Sequence, residues 1–485
     1  MVPLVNSAPL ALAFLFQRLK WPIPMSRWRT AKEIRDLLND PVTRSSATDA
    51  LLQYLNNCKT ESEVCEILTI IFLTLPAGRP TRAALALRIQ CPSILADMIL
   101  ERTLGIGRGI GGWGQTHSGP APVDFDGGSY FHKHKAAHVP PSLSRSLRKL
   151  ERESGKRFLQ QWAYEWKVLS DTLGTRFTDY PYYFDDVLEV RSGIIDQYWQ
   201  QMREVYLSAY LRTLAFAVRE WHLPQRIAEA YCLNCVYGIA GLFDVEPSTR
   251  PAWLANYPEK FCDSGLEWKP LIRDLLKDAQ ENRMKLVSLD TPIASSLKKY
   301  ARLKLSAHLV TTDYEPPDEA VLHEMMPRLM LEDAFELNGQ PVDIAICEAD
   351  NAGRSGKEAA VCNGLFPMPF GAWQGDYFAT GVTIPASYAV PGAEIRCTNK
   401  SIDLVASGGK VVSRTQIWND DWTPQYPRNG STRCAVATMI DVDALAAAET
   451  RLSRRLAWFA RLTAWDRKKE YGDYFESQRT SIVLD

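Results

Sequence analysis

No stretch of this 485-residue chain stays apolar long enough to span a membrane. The opening, MVPLVNSAPLALAFLFQRLKWPIPM, comes nearest. Its apolar run is short, and its positive charges follow that run instead of preceding it, the reverse of a secretion signal. It is expected to be a buried N-terminal segment. An excess of either charge is missing as well: a net charge of −1 exerts no global pull on nucleic acid or membrane. Cysteine is sparse, ten thiols scattered from Cys58 to Cys434. Most stand among apolar residues, as buried free thiols do. Without a secretion signal they suggest a reducing cytosol. No internal repeat is regular enough for a solenoid. With 46% apolar and 23% charged residues, the composition is that of globular protein and excludes wholesale disorder.

A complete catalytic signature is also missing. Gly107, Gly109 and Gly112 satisfy G-x-G-x-x-G, as do Gly109, Gly111 and Gly114. That pattern cradles a pyrophosphate only between a strand and a helix. Here a helical segment precedes it and loop follows, so a flexible loop that orders on a partner is the better expectation. Gly353–Lys357 resembles the end of a P-loop, but Asn351 replaces the first Gly and Glu358 replaces the magnesium-binding Ser/Thr. Glu348, Asp350, Arg354 and Lys357 still mark a strand-to-loop exit, a usual place for function. His323-Glu324 opens HEMMP, with Pro327 where a zinc protease has its second His. Ser295-x-x-Lys298 has no Lys-Thr-Gly beside it. Cys232-x-x-Cys235 lacks two further ligands at zinc spacing and reads as buried structural thiols.

What is present concentrates in one region. Four of the seven histidines, His117, His132, His134 and His138, fall within 22 residues of a Gly/His/Pro-rich segment. His132, His134 and His138 form H-x-H-x3-H, with Asp124 and Asp126 upstream. Imidazole and carboxylate suit a divalent transition metal. On an extended strand His132 and His134 would point the same way and chelate together. The plainer reading of FHKHKAAH is an exposed basic lead-in with solvated imidazoles.

The helix that follows is expected to run unbroken from Ser142 to Leu173. Leu143, Leu147, Leu150, Phe158, Trp162, Trp166, Leu169 and Leu173 form its apolar stripe, spaced by threes and fours. Arg145, Lys149, Arg152 and Lys156 are spaced by four, three and four and lie opposite. With Lys133, Lys135, Arg148 and Arg157, residues 132–157 carry eight Lys/Arg against two Glu. Cations arrayed on one helix suit phosphate contacts. A second basic face is expected near the C-terminus, on a helix from Ala444 to Trp465 with Asp443 as N-cap. There Arg451, Arg454, Trp458 and Arg461 share one side, where arginine and aromatic groups stack bases. The run YLSAYLRTLAFAV (206–218), followed by IAGLF and RPAWL, resembles uncharacterised bacterial proteins found near antiviral genes. No motif residue carries over from that resemblance.

The pattern predicts an α+β protein: a helical N-terminal portion, then a mixed, strand-rich C-terminal portion with a terminal helix. Residues 1–104 are expected to be helical, with capping boxes at Thr30/Glu33 and Thr60/Glu63. Residues 105–141 form the Gly/His-rich loop and 142–245 a long-helix region. Residues 285–485 form the strand-rich domain, with Gly408-Gly409 as a hairpin turn. The expected function is a binding or assembly subunit of a larger cytosolic complex, with protein partners, nucleic acid and no membrane. Two alternatives follow from the same residues. One is a metal-dependent hydrolase, whose metal at the His/Asp cluster would activate water. The other is a structural scaffold or shell protein.

Overall fold

The computed structural model describes residues 8–21, 24–105, 112–129, 141–174, 193–235, 242–254, 268–280, 283–295, 299–330, 347–348, 356–366, 382–419, 434–467 and 474–484. The architecture is α+β, with helices in the N-terminal part and antiparallel strands in the C-terminal part. The chain splits into a helical unit, drawn mainly from residues up to Gly238, and a sheet unit, drawn mainly from Ile239 onward.

The helical unit comprises α1 (Ala8–Gln17), α2 (Pro24–Asn39), α3 (Arg44–Asn56), α4 (Glu61–Leu73), α5 (Arg82–Ala86), α6 (Ile94–Leu104), α7 (Pro141–Ser154), α8 (Phe158–Leu173), α9 (Gly193–Glu220) and α10 (Gln225–Cys232). Val64, Cys65, Ile67, Leu68, Ile70 and Ile71 are all buried, so α4 hides nearly its whole circumference, as a central helix must. Thr60 and Glu63 form the expected capping box at its start. Thr30 does not cap. It lies inside α2, where its hydroxyl donates to the Ser26 carbonyl at 2.8 Å. On α1, Leu15 and Phe16 are buried but Leu10 and Phe14 are exposed, so this helix is buried on one side only.

The apolar stripe of residues 143–169 is buried as its spacing predicts, but the helix carrying it is broken. Gly155 adopts φ +69°, and the chain restarts as α8 at Phe158. A left-handed glycine ends helices because a Cβ there clashes with the following carbonyl. α8 and α9 pack through aromatic rings: Trp166 meets Tyr206 edge-on at 6.1 Å and Trp162 meets Tyr210 at 6.2 Å. Trp162 also donates its indole N–H to the Tyr206 carbonyl at 3.1 Å. Cys65, Cys232 and Cys235 are buried, and burial pushes the thiols of Cys232 and Cys235 well above the usual range. That is the behaviour of structural thiols.

The sheet unit contains α11 (Trp268–Asp278), β1 (Met284–Ser295), β2 (Lys299–Thr311), α12 (Glu319–Leu329), β3 (Cys347–Glu348), β4 (Glu358–Ala360), β5 (Cys362–Phe366), β6 (Val382–Pro385), β7 (Glu394–Cys397), β8 (Ile402–Val405), β9 (Val411–Asn419), β10 (Cys434–Asp441), α13 (Val442–Leu452), β11 (Arg454–Arg467) and β12 (Tyr474–Leu484). The large antiparallel sheet has the order β12-β11-β2-β1-β10-β9-β8-β7, and β4 also pairs with β2. A smaller sheet has the order β3-β5-β6. Gly408 and Gly409 (φ +79°) turn β8 into β9, as expected.

Alternation divides the large sheet into two unlike faces. One carries Leu289, Leu303, Leu305, Ala460, Leu462 and Ile482, all buried. The other buries Ser288's cross-strand neighbour Ser306 with Asp290, Arg302, His308, Thr415 and Thr438. Beside this polar band α12 seals one end, where Leu322, Met326 and Leu329 pack with Val310, Tyr314 and Phe459.

The expected helix from Ala444 to Trp465 forms only in its first half, as α13. Its N-cap is Asp441, whose carboxylate accepts the N–H groups of Asp443 and Ala444. The helix then stops at Leu452. Ser453 turns left-handed (φ 51°), and the chain returns as β11, paired on both sides by β2 and β12.

Candidate functional site

The first candidate is the junction of α7 and α8. Leu143, Leu147 and Leu150 fix α7 against the core, which turns Arg148 and Arg152 outward. Lys156 and Arg157 follow in the exposed turn after Gly155, so the regular four-three-four row ends at Arg152 and Lys156 belongs to the turn. The two glutamates of this segment are engaged elsewhere. Glu151 accepts the Leu159 N–H at 3.0 Å, capping the start of α8, and Glu153 stands 3.9 Å from Lys149. Among the described residues, no carboxylate lies within ion-pair distance of Arg148, Arg152 or Lys156. Arg145 lies on α7, but its side chain is outside the described residues, as are Lys133 and Lys135.

Residues 112–129 run as a strap along α8 and α9; the segments expected to be flexible, 106–111 and the FHKHKAAH lead-in, lie outside the described residues. Gly114 accepts from Arg219 at 2.6 Å, and the His117 ring meets Phe216 edge-on at 5.2 Å. Gln161 takes the Ala121 N–H at 2.9 Å and donates to the Gly119 carbonyl at 2.8 Å. Gln160 donates to the Phe125 carbonyl at 2.8 Å. At Gly127 the strap lies so close to α8 that a Cβ would stand 3.1 Å from the Gln160 Cα. Each of these hydrogen bonds is made to strap backbone, which has no ladder of its own to satisfy it. Asp124 and Asp126 are exposed on this strap, and Asp126 caps its final turn by accepting the Ser129 N–H at 3.1 Å. His132, His134 and His138 lie outside the described residues. Among the described residues no three His, Cys, Asp or Glu side chains are grouped to hold a metal ion.

Beneath the strap lies an acid cluster that sequence reasoning missed. Glu165 accepts from Ser118 twice, from its N–H at 2.9 Å and its hydroxyl at 2.7 Å. Burial pushes the Glu165 carboxyl upward, and the Ser118 bonds offset only part of this. Burial likewise raises Glu61, against the pull of Arg212, whose Nε is 2.6 Å away. The second Glu61 oxygen is buried without a hydrogen-bond partner. Nearby on the same helices, Arg27 pairs with Glu66 at 2.7 Å and Glu204 at 3.5 Å, and Ser62 donates to Glu204. These groups join α2, α4, α8, α9 and the strap. The available signal was a carboxylate inside a helical face otherwise built of apolar residues, at Glu66 and Glu165. A cavity of about 350 Å³ also opens between α1 and α3, over Phe16, Tyr54 and Cys58 with Lys20 and Asp49 among its lining residues.

The expected second basic face dissolves. Arg451 bonds the Tyr388 carbonyl at 2.6 Å, and Arg454 bonds the carbonyls of Leu309 at 3.1 Å and Gly356 at 3.2 Å. Trp458 is buried, donates to the Leu286 carbonyl at 3.3 Å and carries the Lys285 ammonium 4.6 Å from its ring centre. On a strand, residues three apart face opposite ways, so Arg461 emerges on the polar face instead. No protein-family model matches the chain, and no curated protein is significantly similar to it.

Proposed function

We propose that this chain is a nucleic-acid-binding subunit of a larger cytosolic assembly, and that the α7–α8 junction is its phosphate contact. One observation carries the reading: Arg148 and Arg152 are exposed one turn apart at the end of α7, Lys156 is exposed in the turn that follows, and the two glutamates of this segment are already engaged. Exposed, unopposed cations on a rigid element release counterions when they meet phosphates. Lys133, Lys135 and Arg145 belong to the same contact in this proposal. A protein partner is supported by Leu10, Phe14 and Trp21, large apolar side chains exposed on and just after α1.

The test is an electrophoretic titration of single- and double-stranded oligonucleotides at about 50 and about 200 mM salt. Three phosphate contacts give a log–log salt slope of about −2 to −3. Arg148/Arg152/Lys156→Ala should remove that share of the slope and most of the affinity. Wild-type protein that binds neither strand form, or binds with no salt dependence, refutes the proposal.

A further inference from the structure

The cavity between α1 and α3 shares no lining residue with the α7–α8 junction. Helical periodicity lines it. Leu12, Phe16 and Lys20 recur every fourth residue on α1 and the turn after it, and Ser46, Ala50, Tyr54 and Cys58 do so on α3 and just beyond. Each helix therefore turns one face toward the same space. The buried rings of Phe16 and Tyr54 form its floor, with centroids 5.6 Å apart. Burial pushes the Cys58 thiol up, which keeps it neutral and part of that apolar floor. Ala13 and Ala50 bring only methyl groups to the walls, and about 350 Å³ stays open between them. That volume falls in the range of small-molecule pockets, about 300–1,000 Å³. The rim is polar, with Gln17, Gln53 and Asn57 exposed around the floor. The apolar surface is thus a confined floor, not the continuous stripe that a docked helix needs.

Charge at the rim selects the ligand. The charged side chains that line the cavity are Lys20 and Asp49. Lys20 is already satisfied. Its Nζ stands 3.1 Å from a Glu63 carboxylate oxygen and 5.6 Å from the centre of the Tyr54 ring. Asp49 is not. It is exposed, and among the described residues no Lys, Arg or His lies within ion-pair distance of it. One free negative charge therefore stands beside an apolar floor. A carboxylate ligand would meet Asp49 on one side and find Lys20 neutralised by Glu63 on the other. An ammonium group matches Asp49 and gives it a charge-assisted hydrogen bond. The rim amides of Gln17 and Gln53 can accept the remaining ammonium protons.

We propose that this cavity binds a small amine with an aromatic body, the ring seated over Phe16 and Tyr54 and the ammonium group held by Asp49. The two floor rings offer the offset and edge-on contacts that an aromatic ligand prefers. The carboxylate fixes which way round the ligand enters, since only one end of it carries charge. The site is independent of the phosphate contact and can stand or fall without it.

The experiment uses the full chain and three probes, phenethylamine, phenethyl alcohol and phenylacetate, which share a ring and differ in head group. Ligand-observed NMR titrations at constant ionic strength give each dissociation constant, and hydrogen exchange on α1 and α3 peptides locates the binding. Phenethylamine should bind saturably and slow exchange in both helices. The alcohol should bind about five- to tenfold more weakly, the loss expected for one charge-assisted hydrogen bond, and the acid more weakly still. Asp49→Asn should bring the amine down to the level of the alcohol and leave the alcohol unchanged. Ala50→Leu fills the cavity with a residue that favours helix, and should weaken amine and alcohol alike about tenfold or more. Should that variant fail to fold, Asp49→Asn, which changes no volume, still decides the matter. Arg148/Arg152/Lys156→Ala should bind the amine as wild type does. Wild type that shows no saturable amine binding, or no preference for the amine over the alcohol, overturns the proposal. So does a preference that survives Asp49→Asn, or binding that a folded Ala50→Leu leaves unchanged.

Discussion

Acid should open the sheet unit through a single imidazole. His308 on β2 is fully buried, with its ring edge-on to Phe459 at 4.8 Å. Its Nε2 lies 3.0 Å from the Leu329 carbonyl, which can only accept, so Nε2 carries the proton and the ring is neutral. Nδ1 is buried with no partner, and protonating it would place a charge in the core. Burial is the main cause that lowers the His308 pKa to about 4, against the favourable Leu329 bond and the Glu358 charge, with Arg328 acting in the same sense as burial. The unfolded chain has the ordinary value near 6.5. Below 6.5 the unfolded state therefore binds a proton that the folded state refuses. The contribution is fully present above pH 6.5 and is lost as pH falls toward about 4. The gap corresponds to about 3 kcal/mol, most of it gone by about pH 4.5. His308→Gln keeps a donor for the Leu329 carbonyl but cannot titrate. The assay is urea unfolding from about pH 7.5 to about pH 4.5, with hydrogen exchange read on β2 and β11 peptides. Wild type should lose about 2–3 kcal/mol more than His308→Gln across that window. Parallel pH profiles for the two proteins would refute the reasoning.

Two predictions concern the helical unit. Glu165→Gln should loosen the strap, because the two Ser118 bonds go to different carboxylate oxygens and an amide turns one of those acceptors into a donor. Faster exchange of the Ser118 and Ala121 amides, with the α4 core unchanged, is the expected result; wild-type exchange would contradict it. Arg27→Met should cost about 3–5 kcal/mol, because it leaves the carboxylates of Glu66 and Glu204 buried without their guanidinium. Thermal unfolding measures this, and a loss under about 1 kcal/mol would show that these carboxylates are otherwise compensated.

The sequence carried its helical half well where one period dominated. Leu143, Leu147, Leu150, Phe158, Trp162 and Trp166 all turned inward at helical spacing. Gly155 was the visible break signal within that stripe. Its effect depended on a positive φ that the surrounding periodicity masked. RLSRRLAWFARLTAW satisfied two periods at once. Its arginines and Trp458 repeat by threes and fours, while Leu456, Trp458, Ala460, Leu462 and Ala464 alternate. Alanine and leucine favour helix locally, but pairing with β2 and β12 decided for strand. The basic α7 end was legible as a run of charge. That Glu151 and Glu153 are engaged elsewhere was not, since a side chain that caps across a helix break does so only once the chain has folded. The cross-strand pairing of Lys304 with Arg461 was invisible for the same reason. Its members lie far apart in sequence and meet only through register.

That register also governs how the sheet unit can be built. β2 sits in the middle of the large sheet, yet its partner β11 lies about 150 residues further along the chain. Its other partner, β1, is local, so a β1–β2 hairpin can pair before the opposite edge of β2 has a partner. Such non-local pairing is slow, and an open apolar edge is prone to pair with the wrong strand. Lys304 and Arg302 stand on β2, and charged side chains on a strand with an open edge disfavour its self-association. The cations that gather around Asp290 in the finished sheet would thus protect the unfinished one.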